Sequence, residues 1–452
     1  KLKNVLNIGA TSFSSNWLLE TINSASQLRD MHPYERGMAG LWRPKSSHVY
    51  NSGKVERTST ESTDLSMDGT HDAIAYLWKS PIADQLPSWL TASTMTKYNS
   101  ESQEVENKDV LGIYTSSIYG FGGNLPVAAG SNMSNQEMGF TSFEDLSSGS
   151  QPISGNFVFG TEAINIPISA PIESGRSNVL VIDLPLAELN AAFDWNDKVY
   201  ILTDGHVVQA TILCTGEDIV NGENPYPGKS FVVLDERVIE SDEVFYGGTM
   251  MKENEHSGSA YTLYSGWAHS GQKSLLIEGA PNPVQSRSFK QPIFDLNIGE
   301  TYSFYCWAST KADDVYYEEA NIAHNVEVLV QMDGITVGTI ELYGRVIEGW
   351  QQLRGTFTVP EEGYDELQIT FRKPSATPLY IDDIRIFPLD GNMQGFVYDD
   401  QLRLQATLDE NNYATFYDYD GENTLFLVRK ETERGIKTIQ QTISNQKGPA
   451  SN

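Results

Sequence analysis

TFYDYDGENTLFLV, residues 415–428, sets aromatic residues and acids in near alternation, breaks at Asp420-Gly421 and resumes with apolar residues. Phe416, Tyr417 and Tyr419 favour extended backbone, and Leu425, Leu427 and Val428 suit a returning strand. Asp-Gly is a dipeptide that tight hairpin turns use to reach positive φ, so the stretch predicts an antiparallel β-hairpin with Asp420-Gly421 at its tip. Turn chemistry and strand propensity agree here, which is the condition for a local sequence to specify its own structure.

Most of the chain follows the same pattern. SNVLVIDLPL, DKVYILTDGHVVQATILCTG, KSFVVLDERVI, NVEVLVQMDGITVGTIELYG and ELQITFRK are short apolar runs between Gly, Asn, Asp, Pro and Ser turns, so the fold class is all-β. Two helices are expected as accessories, in SSNWLLETINSASQLRDM near the N-terminus and in PLAELNAAFDW. At 452 residues the chain is long enough for two to four domains and for a core that needs no disulfide scaffold. Its two cysteines, Cys214 and Cys306, allow a single bridge or two free thiols, and no Cys/His spacing suggests zinc. With 31 Lys and Arg against 60 Asp and Glu, the net charge of −29 repels phosphate backbones and anionic membranes, so nucleic acid is excluded as a partner. No run of about 18 apolar residues is present, and none of this sequence is expected to span a membrane. The acidic, Asn-, Ser-, Thr-, Tyr- and Gly-rich composition points to an extracellular or cell-surface protein. A chain that starts at Lys1 and lacks a signal-peptide pattern reads as a fragment of a longer parent.

Laid without gaps over residues 97–127, residues 397–427 match at Tyr98/Tyr398, Asp109/Asp409, Thr115/Thr415, Tyr119/Tyr419 and Leu125/Leu425. Both copies run Tyr, acidic turn, Tyr, Gly-containing turn, apolar strand, and both are expected to form hairpins of one sheet. VYDDQLRLQATLDENNYATFYDYDGENTLFLVRKETERG resembles the tyrosine-aspartate repeats of the Rhs/YD-repeat family, whose hairpins stack into a curving ribbon. The usual Gly-Arg after the Tyr-Asp pair is replaced by Gln401-Leu402-Arg403-Leu404. EVENKDVLGIYTSSIYGFGGNLPVAAGSN and KETERGIKTIQQT resemble the C-terminal regions of very large surface or secreted proteins of Bacteroidota.

Between the two units, GWAHSGQKSLLIEG (266–279), GETYSFYCWAST (299–310), GWQQLRGTFTVP (349–360) and PLYIDDIRIFP (378–388) resemble, in order, the phrases of carbohydrate-binding-module-like jelly rolls. That family opens with a phrase similar to FTSFEDL (140–146). The resulting plan is an N-terminal segment with YD-repeat-like hairpins over 1–135, the jelly-roll start plus an inserted small β domain over 136–255, the jelly roll over 256–390, and hairpins with a polar tail over 391–452.

No GxSxG, HExxH, Walker, GxGxxG or EF-hand pattern is present, and the histidines, His71 and His269 among them, are expected to be structural or at the surface. The sequence thus points to a protein that is not an enzyme. The jelly-roll resemblance implies a structural Ca²⁺ where the first and last strands meet, with Glu144 and Asp382 as carboxylate ligands and Ser142 and Lys273 offering carbonyl oxygens, a hard-oxygen set that suits Ca²⁺. Strand alternation would turn only one of Asp382 and Asp383 inward, and both could instead sit at a strand end facing water. For sugar binding, Tyr316-Tyr317 in KADDVYYEEAN is the exposed aromatic candidate, whereas Trp307 and Trp350 fall in phrases that resemble core positions. The leading expectation is a non-enzymatic extracellular structural and adhesion segment of a large YD-repeat surface protein, partnered by the rest of its parent. The alternatives are a carbohydrate-binding module with a glycan as partner, and an Rhs-type carrier handled by a secretion apparatus.

Overall fold

The computed structural model describes residues 2–3, 9–16, 39–50, 70–71, 89–98, 102–146, 153–158, 163–166, 179–182, 184–203, 206–216, 230–235, 248–252, 262–277, 285–290, 294–310, 326–364, 367–373 and 378–442. β-Strand predominates among them, with one short α-helix and one 3-10 turn, and the chain divides into units 1–116 and 117–452. In the first unit, Gly9–Asn16, Ala39–Tyr50, Trp89–Tyr98 and Glu104–Asp109 pair in sequence order, each antiparallel to the next. The N-terminal helix expected from SSNWLLETINSASQLRDM is corrected at its first three residues, because Ser14–Asn16 belong to the strand Gly9–Asn16. The rest of that segment lies outside the described residues.

In the second unit a hairpin ribbon runs through Asn392–Tyr398, Leu404–Leu408, Ala414–Tyr419, Leu425–Thr432 and Gly435–Gln441. Leu125–Ser131 pairs with Asn392–Tyr398, from Asn392 opposite Ser131 to Gly395 opposite Ala128. The strand that closes the first repeat-like segment therefore joins the strand that opens the second.

Four turns share one construction. Asp399, Asp409 and Asp420 each accept, through Oδ1, the backbone N–H groups two and four residues on, at 2.9–3.0 Å. Asp109, in the first unit, does the same toward Leu111 and Ile113 at 2.8 and 2.9 Å. The fourth residue of each turn is left-handed: Gly112 at φ 82°, Leu402 at 60°, Asn412 at 68° and Asn423 at 62°. This is the three-residue hairpin loop, a type I turn followed by a bulge residue in αL, stapled by an aspartate side chain. The expectation for Asp420-Gly421 is corrected accordingly, since positive φ falls on Asn423 and Asp420 contributes its carboxylate. The aligned tyrosines also share a role, as Tyr98 donates to the Pro44 carbonyl and Tyr398 to the Pro126 carbonyl, at 2.7 and 3.0 Å.

The jelly roll packs two layers over one core. One layer has the order Leu263–Ser265, Lys273–Ile277, Leu379–Pro388, Thr301–Ser309, Trp350–Thr358, Ile335–Ile347, and Gly139–Thr141 also pairs with Leu379–Pro388. The long strand Ile335–Ile347 turns the corner, since its first half pairs with Glu327–Met332 and its second with Trp350–Thr358. Leu367–Lys373 and Gln285–Lys290 complete the other layer. Phe304, Val328, Leu353, Ile369 and Ile381, all buried, come from both layers and fill the space between them. A six-stranded antiparallel sheet of Ala163–Ile166, Gly248–Lys252, Lys198–Thr203, His206–Gly216, Ser230–Leu234 and Val179–Ile182 lies in the chain between the jelly-roll strands Gly139–Thr141 and Leu263–Ser265. The helix expected from PLAELNAAFDW is present as Leu186–Ala192 and buries Leu189 in that core. Both cysteines are free thiols, Cys214 exposed and Cys306 buried.

Candidate functional site

The strand Leu379–Pro388 organises the chemistry of the second unit. Asp382 pairs with Trp307 and Arg385 with Tyr305, so two residues, Asp383 and Ile384, face the single residue Cys306. This is a β-bulge, and Asp383 sits at φ 49°. All ten residues of the strand are buried, since one face lies on the sandwich core and the other under the ribbon, and both aspartates are at 0 % exposure. That corrects both the one-inward expectation and the alternative of a solvent-facing strand end.

Each buried carboxylate has partners, as burial demands. Asp382 accepts from the backbone N–H of His269 at 2.7 Å, of Ser270 at 3.2 Å and of Asp383 at 2.8 Å. Asp383 accepts from Ser270 Oγ at 2.6 Å and from His269 Nδ1 at 2.6 Å. The other ring nitrogen, Nε2, faces Glu431 of the hairpin ribbon at 3.0 and 3.1 Å. Burial alone would lower the His269 pKa, but the Glu431 charge and the hydrogen bonds to Asp383 and Glu431 outweigh it and hold the pKa at about 9. The imidazolium lies flat on Trp307 with ring centres 4.0 Å apart. Trp307 in turn donates to the Asn412 carbonyl at 2.8 Å, and Asn412 donates to the Asp383 carbonyl at 3.0 Å.

These contacts seal one face of the jelly roll. Leu276, Trp307, Trp350 and Tyr380 form a buried aromatic cluster against which Tyr413 and Ile436 of the ribbon pack. Trp307 and Trp350 are thus buried, as expected, but under the ribbon and outside the sandwich core. His269 is a buried structural histidine; His71 lies in the strand Thr70–His71.

Glu144, Ser142 and Asp382 are buried at the meeting of the first and last jelly-roll strands. Glu144 Oε1 accepts from the backbone N–H groups of Gln272 and Lys273 at 2.6 and 2.7 Å. Gly271, at φ 78°, makes room for it, because a Cβ there would lie 2.3 Å from Glu144 Oε1. Burial pushes the Glu144 pKa up to about 7, against the backbone donors and the Lys273 charge. Burial, Asp383 and Glu144 push Asp382 well above the usual carboxylate range. A divalent cation would relieve that proton affinity, so the acid pair fits a hard ion in charge. The donor set is lean, however: among the described residues no cluster of three or more His, Cys, Asp or Glu is arranged to hold a metal. Lys273 Nζ already lies on the Glu144 and Leu146 carbonyls at 2.7 and 3.2 Å. Glu144 and Asp382, with carbonyl oxygens, would hold such an ion.

Tyr316 and Tyr317 lie outside the described residues. The ribbon carries an aromatic cleft of its own, which sequence reasoning missed. It has a volume of about 480 Å³, and Tyr417, Tyr419 and Phe426 supply its rings. Asp399 with Arg403 and Asp418 with Arg429 line it as ion pairs, at 2.7 and 2.9 Å, and Gln272 reaches it from the jelly roll. Gln405 also lines it and presents a buried Oε1 with no hydrogen-bond partner. The tyrosine hydroxyls are tied down, Tyr419 to the Leu404 carbonyl at 2.9 Å and Tyr417 to Thr407 Oγ1 at 3.3 Å.

No protein-family profile and no curated protein matches the chain. Among solved structures, the C-terminal family 22 carbohydrate-binding module of Clostridium thermocellum Xyn10B is similar at 17% identity, over 30% of this chain and 85% of that chain, with a TM-score of 0.21. The CBM22-1 xylan-binding domain of Paenibacillus barcinonensis Xyn10C is similar at 13% identity, over 30% of this chain and 83% of that chain, with a TM-score of 0.23. These are likenesses of fold, and the jelly-roll assignment rests on the strand order described above.

Proposed function

We propose that this chain is a non-catalytic carbohydrate-binding segment of an extracellular or cell-surface protein, with the jelly roll as scaffold and the ribbon as recognition surface. The cleft over Tyr417, Tyr419 and Phe426 carries this reading. Sugars present apolar C–H faces and a fringe of hydroxyls, and they are matched by fixed aromatic rings among paired donors and acceptors. The cleft's volume falls within the range of about 300–1,000 Å³ usual for small-molecule sites. His269, enclosed between carboxylates and stacked on Trp307, is closed to substrate, which supports a non-catalytic role. Screening the purified chain against immobilised plant, animal and bacterial glycans should return a binder that the soluble form of the same glycan displaces. Silence across the screen would overturn the reading. Loss of binding in a Tyr316→Ala/Tyr317→Ala variant would move the site to that aromatic pair.

The second reading is a structural and adhesion segment of a large YD-repeat surface protein of Bacteroidota, with an Rhs-type carrier as its variant. The sealed aromatic face of the jelly roll and the four aspartate-stapled turns favour it. It requires further hairpins with the same aspartate turn elsewhere in the parent protein, and a parent without them would exclude it.

A further inference from the structure

Resting on the carbohydrate-binding reading, we infer that the ribbon cleft takes a neutral, hydroxyl-rich sugar chain and that Gln405 is the residue that selects it. Both cations of the cleft are charge-balanced by a paired aspartate. Arg403 directs Nε and Nη2 to Asp399 Oδ2 at 2.8 and 2.7 Å and its Nη1 to Asn423 Oδ1. Arg429 grips Asp418 with Nε and Nη2 at 2.9 and 3.1 Å. A uronate, sulfate or phosphate would have to displace a partner to reach Arg403, and at Arg429 it would meet a guanidinium whose charge Asp418 already balances. It would do so on a chain of net charge −29.

Gln405 adds the positive selection. Its buried Oε1 has no hydrogen-bond partner, and a buried acceptor without a donor is costly. A sugar hydroxyl supplies that donor, whereas a bare sulfate or phosphate oxygen brings only another acceptor; uronates also carry hydroxyls, so their exclusion rests on the balanced Arg–Asp pairs. One face of the Tyr419 ring is capped by Arg403, whose guanidinium carbon lies 4.9 Å from the ring centre. The Tyr417 ring, held by its hydroxyl, is left as the stacking platform.

The test is calorimetric titration of the intact chain with neutral cello-, xylo- and manno-hexaose, and with oligogalacturonate as the charged counterpart. At least one neutral hexaose should bind and the galacturonate should not. Gln405→Leu should weaken binding about tenfold, the worth of one well-made hydrogen bond to a buried acceptor. Tyr417→Ala should weaken it by a comparable factor or more, with both variants checked for an unchanged melting transition. Binding of galacturonate in preference to the neutral chains would overturn the inference. So would neutral binding that neither substitution affects, although the carbohydrate-binding reading would then survive at another site. Absence of binding to any carbohydrate, here and in the glycan screen, would remove both.

Discussion

Raising the pH should loosen the junction between jelly roll and ribbon by deprotonating His269. The charge of Glu431 and the hydrogen bonds to Asp383 and Glu431 overcome burial and hold the imidazolium, with a pKa of about 9 against an ordinary 6.5. A base whose pKa is higher folded than unfolded adds stability that is complete below pH 6.5 and lost as the pH climbs through 9. The full span is worth roughly 3 kcal/mol, and roughly 2 kcal/mol of it falls between about pH 7 and pH 9.5. Glu144 acts in the same direction at lower pH. Burial raises its pKa from 4.5 to about 7, so the stability of its protonated form is lost as pH rises through that window and little is left to lose above it. Urea unfolding followed by tryptophan fluorescence, with Trp307 against the imidazole as reporter, should show the parent weaker by roughly 2 kcal/mol at about pH 9.5 than at pH 7. His269→Gln should be less stable by roughly 3–5 kcal/mol at neutral pH, because Asp383 and Glu431 lose their cation in a dry site. That variant should lose most of the drop across the window, keeping only the part that Glu144 and Asp382 contribute. A parent indifferent to this pH change, or a variant that keeps the whole drop, would refute the assignment of the charge to His269.

Three further outcomes follow from the same geometry. If Glu144 and Asp382 hold Ca²⁺, melting in added calcium should exceed melting in EGTA, by roughly 2.7 kcal/mol when free metal is about a hundredfold above its dissociation constant. Asp382→Ala should abolish that response, and a metal-free parent that does not respond would show the pair to be satisfied by Lys273 and backbone donors alone. Leu402→Gly should raise stability by about 1 kcal/mol, because leucine is strained at φ 60° and at 54 % exposure has little burial to lose; a destabilised variant would contradict the turn assignment. Asp420→Ala removes the acceptor of two turn N–H groups and should cost about 1–2 kcal/mol in urea unfolding, while Gly421→Ala, with nothing within 4 Å of its added Cβ, should cost much less. Equal losses in the two variants would restore the glycine as the turn's essential residue.

The fold was legible where local rules act alone. Strand alternation and the helix Leu186–Ala192 needed only propensity and turn chemistry, and the jelly roll was legible through the resemblance of its phrases. The αL residue was misplaced because Asp-Gly suggests a two-residue turn, whereas the Asp420 carboxylate selects the longer loop and hands positive φ to Asn423. The burial of Asp383 was not legible, because it comes from the ribbon covering the outer face of a strand whose inner face is core, as the Asn412 bond to the Asp383 carbonyl shows. Glu431 was equally hidden, since the partner of His269 lies on a hairpin far along the chain, in KETERG at residues 430–435. The cleft is assembled from three ribbon strands, their turns and Gln272, so no single window of sequence contains it.

Leu125–Ser131 and Asn392–Tyr398 are neighbours in one sheet, and the side chain of Asn132 donates to Asp390 Oδ2 at 2.9 Å across the point where the chain leaves and returns. Everything between, jelly roll and six-stranded sheet alike, is a guest looped out between two paired strands. A tensile load carried along the ribbon of the second unit passes directly over the backbone hydrogen bonds of that strand pair and does not thread the guest. The guest is nonetheless fastened to the ribbon along its length, by His269 on Glu431, Trp307 on the Asn412 carbonyl and the core that Phe140 and Phe387 share with Met393 and Leu408, so ribbon and guest stand or fall together.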